Sequence, residues 1–148
     1  MRLATLILGL CAMVSVAGCG GGGETSDLGK VGGQVTLNGK PLEEATLEFV
    51  PEQGGRPSIG TTDADGNYTM LYRADSPGAL IGPHLVRITS QRSQSGGEGG
   101  EPLVQAQPER VPQAYNDKTT LKVEVKQGSN THDFTLEGDR KPGTSSGA

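Results

Sequence analysis

Gly33 to Pro51 reads GQVTLNGKPLEEATLEFVP, and the placing of its apolar residues decides the class of fold. Val35 and Leu37 fall on one side of an extended chain, Asn38-Gly39 intervenes, and Ala45, Leu47 and Phe49 again share a side. Side chains of a strand point alternately to its two faces, so apolar residues at every second position mark a strand with one face buried. Asn-Gly between two such runs is a hairpin signal, because both residues tolerate the positive φ that a tight turn demands. Lys40-Pro41 follows at once, so pairing is expected to restart a few residues later.

The same period continues along the chain. SIGTTDADGNYTMLYR, from Ser58 to Arg73, gives a short strand near Ile59, a turn at Asp63 to Gly66, and a strand with Tyr68, Met70 and Tyr72 on one face. In GPHLVRITS, from Gly82, the residues His84, Val86 and Ile88 share a side. TTLKVEVKQGSNTHDFTLEG, from Thr119 to Gly138, reads as a hairpin: Leu121, Val123 and Val125 face in, the chain turns around Gly128 to Asn130, and His132, Phe134 and Leu136 face in. No segment has a 3.6-residue period. Seven short alternating strands with regular turn signals predict an all-β, antiparallel β-sandwich. The inward side chains are few and modest in size, so the core is thin and leaves little room for an internal ligand cavity.

One stretch breaks the rhythm. SQRSQSGGEGGEPLVQAQPERVPQAY, from Ser90 to Tyr115, is long, polar and glycine-rich, and loops of that length are usually functional or disordered. Its composition predicts disorder in the first half and a second half pinned by Tyr115 against one end of the sandwich.

The chain opens MRLATLILGLCAMVSVAG, with one charge at Arg2 and an apolar stretch from Leu3 to Ala17. That stretch is short of the roughly 20 residues a membrane-spanning helix needs, and it suits a secretory signal peptide over residues 1–18. The next step, VAGC at Val16 to Cys19, resembles the bacterial lipobox. An ordinary secretory signal with an incidental cysteine is the alternative. The lipobox resemblance implies a diacylglycerol thioether on Cys19, cleavage after Gly18 and acylation of the new amino terminus. Each buried methylene contributes about 0.8 kcal/mol, so two or more acyl chains hold a protein to a membrane where one lets go. Cys11 would leave with the signal, so no second cysteine remains for an intramolecular disulfide. Gly20 follows the cysteine, and by the sorting rule of Gram-negative lipoproteins a residue other than Asp there implies the outer membrane.

The 148 residues carry a net charge of −4, which becomes −5 when Arg2 is removed, so nucleic acid is not an expected partner. Residues 19–30, with GGGGETSDLG, have the make-up of a flexible tether. Residues 138–148, GDRKPGTSSGA, read as a disordered tail. Residues 31–137 remain for the folded domain.

VGGQVTLNGKPLEEATLEFVPEQ, GTTDADGNYTM, GALIGPHLVRI and VPQAYNDKTTLKVEVKQGSNTHDFTLE resemble, in order, the small lipoproteins with a carboxypeptidase regulatory-like domain that are abundant in planctomycete bacteria. The resemblance covers nearly all of Val31 to Glu137. It implies a transthyretin-like (prealbumin-like) sandwich of seven antiparallel strands with Greek-key connections. It does not imply peptidase activity, since the module is an accessory in the metallocarboxypeptidases that lend the name. The transthyretin-related hydroxyisourate hydrolases rely on a Tyr-Arg-Gly-Ser motif that this sequence does not contain.

Four patterns invite a chemical reading. Asp63 to Gly66, DADG, could begin a calcium loop, but an EF-hand needs more oxygen ligands and a Glu at its twelfth position, and Asp, Asn and Gly serve a turn equally well. His84 and His132 both share inward parity with apolar neighbours, and a zinc site needs three or four ligands. GTSSG at Gly143 to Gly147 matches the G-x-S-x-G nucleophile pattern without the histidine that should follow it. Asn67 to Thr69 is a glycosylation sequon of no evident consequence. No catalytic, cofactor-binding or metal-binding residue is expected, and no enzyme. The expected role is that of a membrane-anchored envelope module, held by its lipid, which binds another envelope protein or serves a structural role. The alternative is a carbohydrate-binding module, for which Tyr72 and Tyr115 are the candidate contacts. Sugar platforms want exposed aromatics, and here there is no Trp, two Phe and three Tyr, of which Phe49, Phe134, Tyr68 and Tyr72 are wanted inside.

Overall fold

A computed structural model describes residues 27–96 and 104–139. The strands are β1 (Leu28–Leu37), β2 (Lys40–Pro41), β3 (Thr46–Pro51), β4 (Ser58–Thr61), β5 (Asn67–Thr69), β6 (Leu71–Arg73), β7 (Ser76–Pro77), β8 (Ala79–Leu80), β9 (Gly82–Thr89), β10 (Lys122–Val125), β11 (Ser129–Thr131) and β12 (Phe134–Leu136). A single turn of 3-10 helix spans Gln113–Tyr115. The chain is all-β and forms two sheets. In one, β1 is paired by β2, β5, β8, β11 and β12; the other runs β10-β9-β3-β4-β6-β7.

The Asn38-Gly39 turn forms as its residues dictate, with φ of 51° and 78°, and sets Leu37 opposite Lys40. The arm beyond it is only two residues long. Leu42 turns into the core and Thr62 fastens the crossing: its Oγ1 donates to the Leu42 carbonyl at 2.6 Å and accepts from the Ala45 N–H at 2.8 Å. The run carrying Ala45, Leu47 and Phe49 thus becomes β3 in the opposite sheet, where it pairs with β4 and β9.

Two other strands divide where the alternation runs unbroken. Tyr68, Met70 and Tyr72 do not lie on one continuous strand: β5 pairs with β1, β6 pairs with β4, and the chain changes sheet at Met70, which is fully buried. The expected hairpin around Gly128 is a crossover, with β10 in one sheet and β11 in the other. Asn130 explains it. Its carboxamide accepts from the Lys126 N–H at 2.9 Å and donates to the Lys126 carbonyl at 2.7 Å, so a side chain takes the place of the missing partner strand.

The antiparallel order expected throughout gives way at β1, which pairs in parallel with β11 and then β12. A parallel pair needs a long return connection, and here almost the whole domain provides it. Between the two pairings His132 and Asp133 leave the ladder without a change of register. The Asp133 carboxylate accepts from the Gln34 N–H at 2.9 Å, and the Tyr68 hydroxyl donates to the His132 carbonyl at 2.6 Å. Gly33 lies against this segment so closely that a Cβ would overlap the His132 carbonyl oxygen.

The domain edges also move. β1 starts at Leu28, inside the stretch read as tether, where Leu28 and Gly29 pair with Leu80 and Ala79. Gly138, read as the first residue of the tail, donates its N–H to Asn38 Oδ1 at 2.9 Å.

Phe49 occupies the middle of the core. Its ring lies 6.4 Å from Tyr68, 6.2 Å from Phe134, 6.0 Å from His84 and 6.4 Å from His132. Aliphatic neighbours, among them Val35, Leu47, Val86, Ile88 and Leu136, complete the buried set. Each such side chain contributes about 1.5–3 kcal/mol of gross burial.

The described parts of the long loop form local pairs, and residues 97–103, in the half expected to be disordered, lie outside the described residues. Arg92 pairs with Gln107 and Ser95 with Val104, so two arms run antiparallel. At their base Glu109 Oε1 accepts from the Ser90 N–H, the Ser90 hydroxyl and the Val111 N–H, at 2.8–2.9 Å. Tyr115 packs on the core, and its hydroxyl accepts from the Glu137 N–H at 3.3 Å.

Two outcomes follow from the packing. Gly33→Ala should destabilise the domain by on the order of 1–3 kcal/mol, the usual penalty of overpacking, seen as a lower denaturation midpoint; an unchanged midpoint would show that the His132–Asp133 segment gives way freely. His84 is buried with Nδ1 3.0 Å from the Gly82 carbonyl. Burial lowers its pKa, against the smaller upward pull of that carbonyl and of Glu52. The unfolded chain then binds the proton more tightly, so this contribution is complete above about pH 6.5 and is lost as pH falls below it. Melting temperature should drop between pH 7.5 and 5, and His84→Leu should flatten that slope.

Candidate functional site

The sheet change at Met70 has a second effect. Because β5 leaves for the first sheet while β6 stays in the second, β4 meets this strand at one residue pair only, Ile59 with Leu71. Along the seam lies an open groove of about 600 Å³, lined among others by Arg56, Ile59, Thr61, Leu71, Tyr72 and Arg73.

Ile59 and Leu71 are side by side on the outward face, 43% and 41% exposed, and so form an apolar floor that the core does not use. Ser58 and Gly60, their alternate neighbours on β4, point inward. Tyr72 is half-buried in the groove wall and lies outside the core cluster, contrary to the expectation that it packs inside. The Arg73 guanidinium lies 5.6 Å from the centre of its ring, a cation–π distance.

The charged side chains lining the groove are mostly basic. Arg87 pairs with Glu48, Arg92 with Glu44 and Lys122 with Glu52, while Arg110 donates to the Glu43 carbonyl. Among the described residues Arg56 and Arg73 are the arginines with no carboxylate or carbonyl partner, and both line this groove. Its one lining carboxylate, Asp63, is turned toward its own backbone.

The residues singled out from sequence take these places. Asp63 Oδ1 accepts from the N–H groups of Asp65 at 3.0 Å and Asn67 at 2.9 Å, and Gly66, with φ of 76°, closes the turn by donating to the Asp63 carbonyl. That is turn chemistry. His84 and His132 flank Phe49, each with a buried Nε2 that has no hydrogen-bond partner among the described residues. No three His, Cys, Asp or Glu side chains of the described residues gather at metal-binding distance. Tyr115 is held at the foot of the long loop, far in sequence from the groove that Tyr72 lines. Cys19 and the GTSSG stretch from Gly143 to Gly147 lie outside the described residues.

Sequence reasoning missed Arg56, Ile59, Leu71 and Arg73. The one available signal was Ile59, a large apolar residue at outward parity on a short strand.

The Asp63 assignment can be tested directly. Asp63→Ala should cost about 1–2 kcal/mol through its two lost acceptor bonds, whereas Asp63→Asn keeps an acceptor oxygen and should lose far less. Calcium should leave the melting temperature of both variants and of the wild type unchanged; a rise in the wild type alone would identify a cation site.

No family model matches the chain, and no curated protein matches it. Among solved structures, a 9R-lipoxygenase from Cyanothece PCC8801 is similar to it, with 18% identity and a TM-score of 0.43 over 82% of this chain. The chain spans 18% of the length of that protein.

Proposed function

We propose that this chain is a lipid-anchored protein of the bacterial cell envelope, held in the outer membrane through Cys19, whose β-sandwich is a non-catalytic interaction module of the carboxypeptidase regulatory-like, transthyretin-like type. The all-β, two-sheet architecture supports that reading, and the seven-strand Greek-key order is part of the proposal. The anchor rests on the lipobox at Val16 to Cys19.

The observation that carries the binding role is the contrast between the groove and the remaining polar side chains. Thr62, Asp63, Glu109, Asn116, Asn130 and Asp133 all hold backbone groups in place. An acid, base or nucleophile so engaged is a structural brace. Arg56, Ile59, Leu71 and Arg73 brace nothing, and they are together on an open face. The carbohydrate-binding alternative is less well supported, because the Tyr72 ring has a guanidinium beside it and Tyr115 is tied down.

The anchor is testable in cells. Native protein should fractionate with membranes and show an intact mass that starts at Cys19 and includes a diacylglycerol, and Cys19→Ser should be released from membranes. A bare thiol at Cys19, or a variant that stays with the membrane, would refute the anchor.

A further inference from the structure

We infer that the seam groove between β4 and β6 is a docking site for an extended peptide segment of a partner protein in which a branched aliphatic residue is flanked by carboxylates. The inference rests on the reading of this domain as an interaction module and names the chemistry of its partner.

Charge complementarity fixes the class. The chain has a net charge of −4, and in the groove Arg56 and Arg73 form no salt bridge while the one lining carboxylate, Asp63, is drawn toward the backbone amides of Asp65 and Asn67. A guanidinium without a partner offers a planar fork of donors that matches a carboxylate in two bonds, which gives direction as well as attraction. Arginine is also enriched where interfaces concentrate their binding energy.

The floor narrows the class further. Ile59 and Leu71 form a cross-strand pair exposed to solvent, the kind of surface that takes an aliphatic side chain. A sugar ring would need an aromatic face. Of the two tyrosines lining the groove, Tyr68 is buried and Tyr72 is half-buried, with Arg73 5.6 Å from its ring centre. The groove follows β4 and β6, with residues 56–61 and 71–74 along it. Acidic polysaccharide shares the carboxylates but lacks the aliphatic element, and it becomes an outcome of the test.

The test uses the full-length protein in detergent micelles and a phage-displayed library of random heptapeptides. Recovered sequences should be enriched in Asp or Glu on either side of Leu, Ile or Val. Synthetic peptides of that composition should bind the wild type, weaken with added salt, and lose about tenfold or more in affinity for the Arg56→Ser/Arg73→Ser double variant. Ile59→Ser should lose affinity with the salt dependence retained. Both arginines are exposed and form no salt bridge or hydrogen bond among the described residues, and Arg73 has only its contact with the Tyr72 ring, so the double variant should melt close to the wild-type temperature, separating lost binding from lost folding. No enrichment, enrichment of basic or neutral sequences, or equal binding by the arginine variant would overturn the inference. So would binding of polygalacturonate in place of the peptides. Membrane attachment through Cys19 is read separately, so a failure here does not touch the anchor.

Discussion

Phe49 is the ring on which the two sheets meet. It belongs to β3 in the middle of one sheet, and from there it touches Tyr68 and Phe134 of the other. A chain with two phenylalanines, three tyrosines and no tryptophan has little aromatic surface to place, and it gathers most of it at this point. Tyr68 and Phe134 stack on one another at 6.2 Å, so the three rings form a closed triangle. Aromatic contacts of this kind contribute about 0.5–1.5 kcal/mol beyond their burial. The two histidines join the same cluster. The Tyr68 hydroxyl, which reaches the His132 carbonyl, ties it to the segment between β11 and β12. Burial, and then the Asp133 carboxylate, push the Tyr68 phenol above its ordinary range, so it remains a hydrogen-bond donor at any physiological pH.

Surrounding that cluster, polar side chains act as substitute backbone. Asn130 takes the place of a strand partner for Lys126, Asp133 does so for Gln34, Thr62 for Ala45, and Glu109 gathers three donors at the foot of the long loop. Buried or half-buried N–H groups must find acceptors, and at the points where a chain leaves one sheet for another no neighbouring strand supplies them. Thr62 and Asn130 sit at such crossings, while Asp133 and Glu109 serve gaps within one sheet and at the foot of the long loop. The surface ion pairs of Arg87, Arg92 and Lys122 are exposed and contribute little by comparison. The seam where β4 and β6 barely pair leaves Ile59 and Leu71 exposed.

How far this was legible in the sequence depends on the kind of information each feature needs. Parity along a strand is local, so Val35, Leu47, Phe49, Val86 and Ile88 could be placed facing in, and the Asn38-Gly39 and Asp63-to-Gly66 turns could be placed from their own residues. Sheet membership is not local. Tyr68, Met70 and Tyr72 keep one parity through a point where the chain changes partners, and period two is blind to that change. The same holds at Gly128 to Asn130, where apolar alternation on both sides suits a hairpin and a crossover equally well; only the reach of the Asn130 side chain decides. The groove was least legible of all, since Ile59 and Leu71 become neighbours through pairing, and Arg56 and Arg73 are recognised only by the partners they lack.

The placement of β1 bears on how the domain withstands load. Leu28 begins a ten-residue strand that is bonded in succession to β8, β11, β5, β12 and β2. Tension entering at that end runs along the strand axis and stresses bonds on both flanks in shear, many at once, where a terminal strand at a sheet margin would peel away one bond at a time.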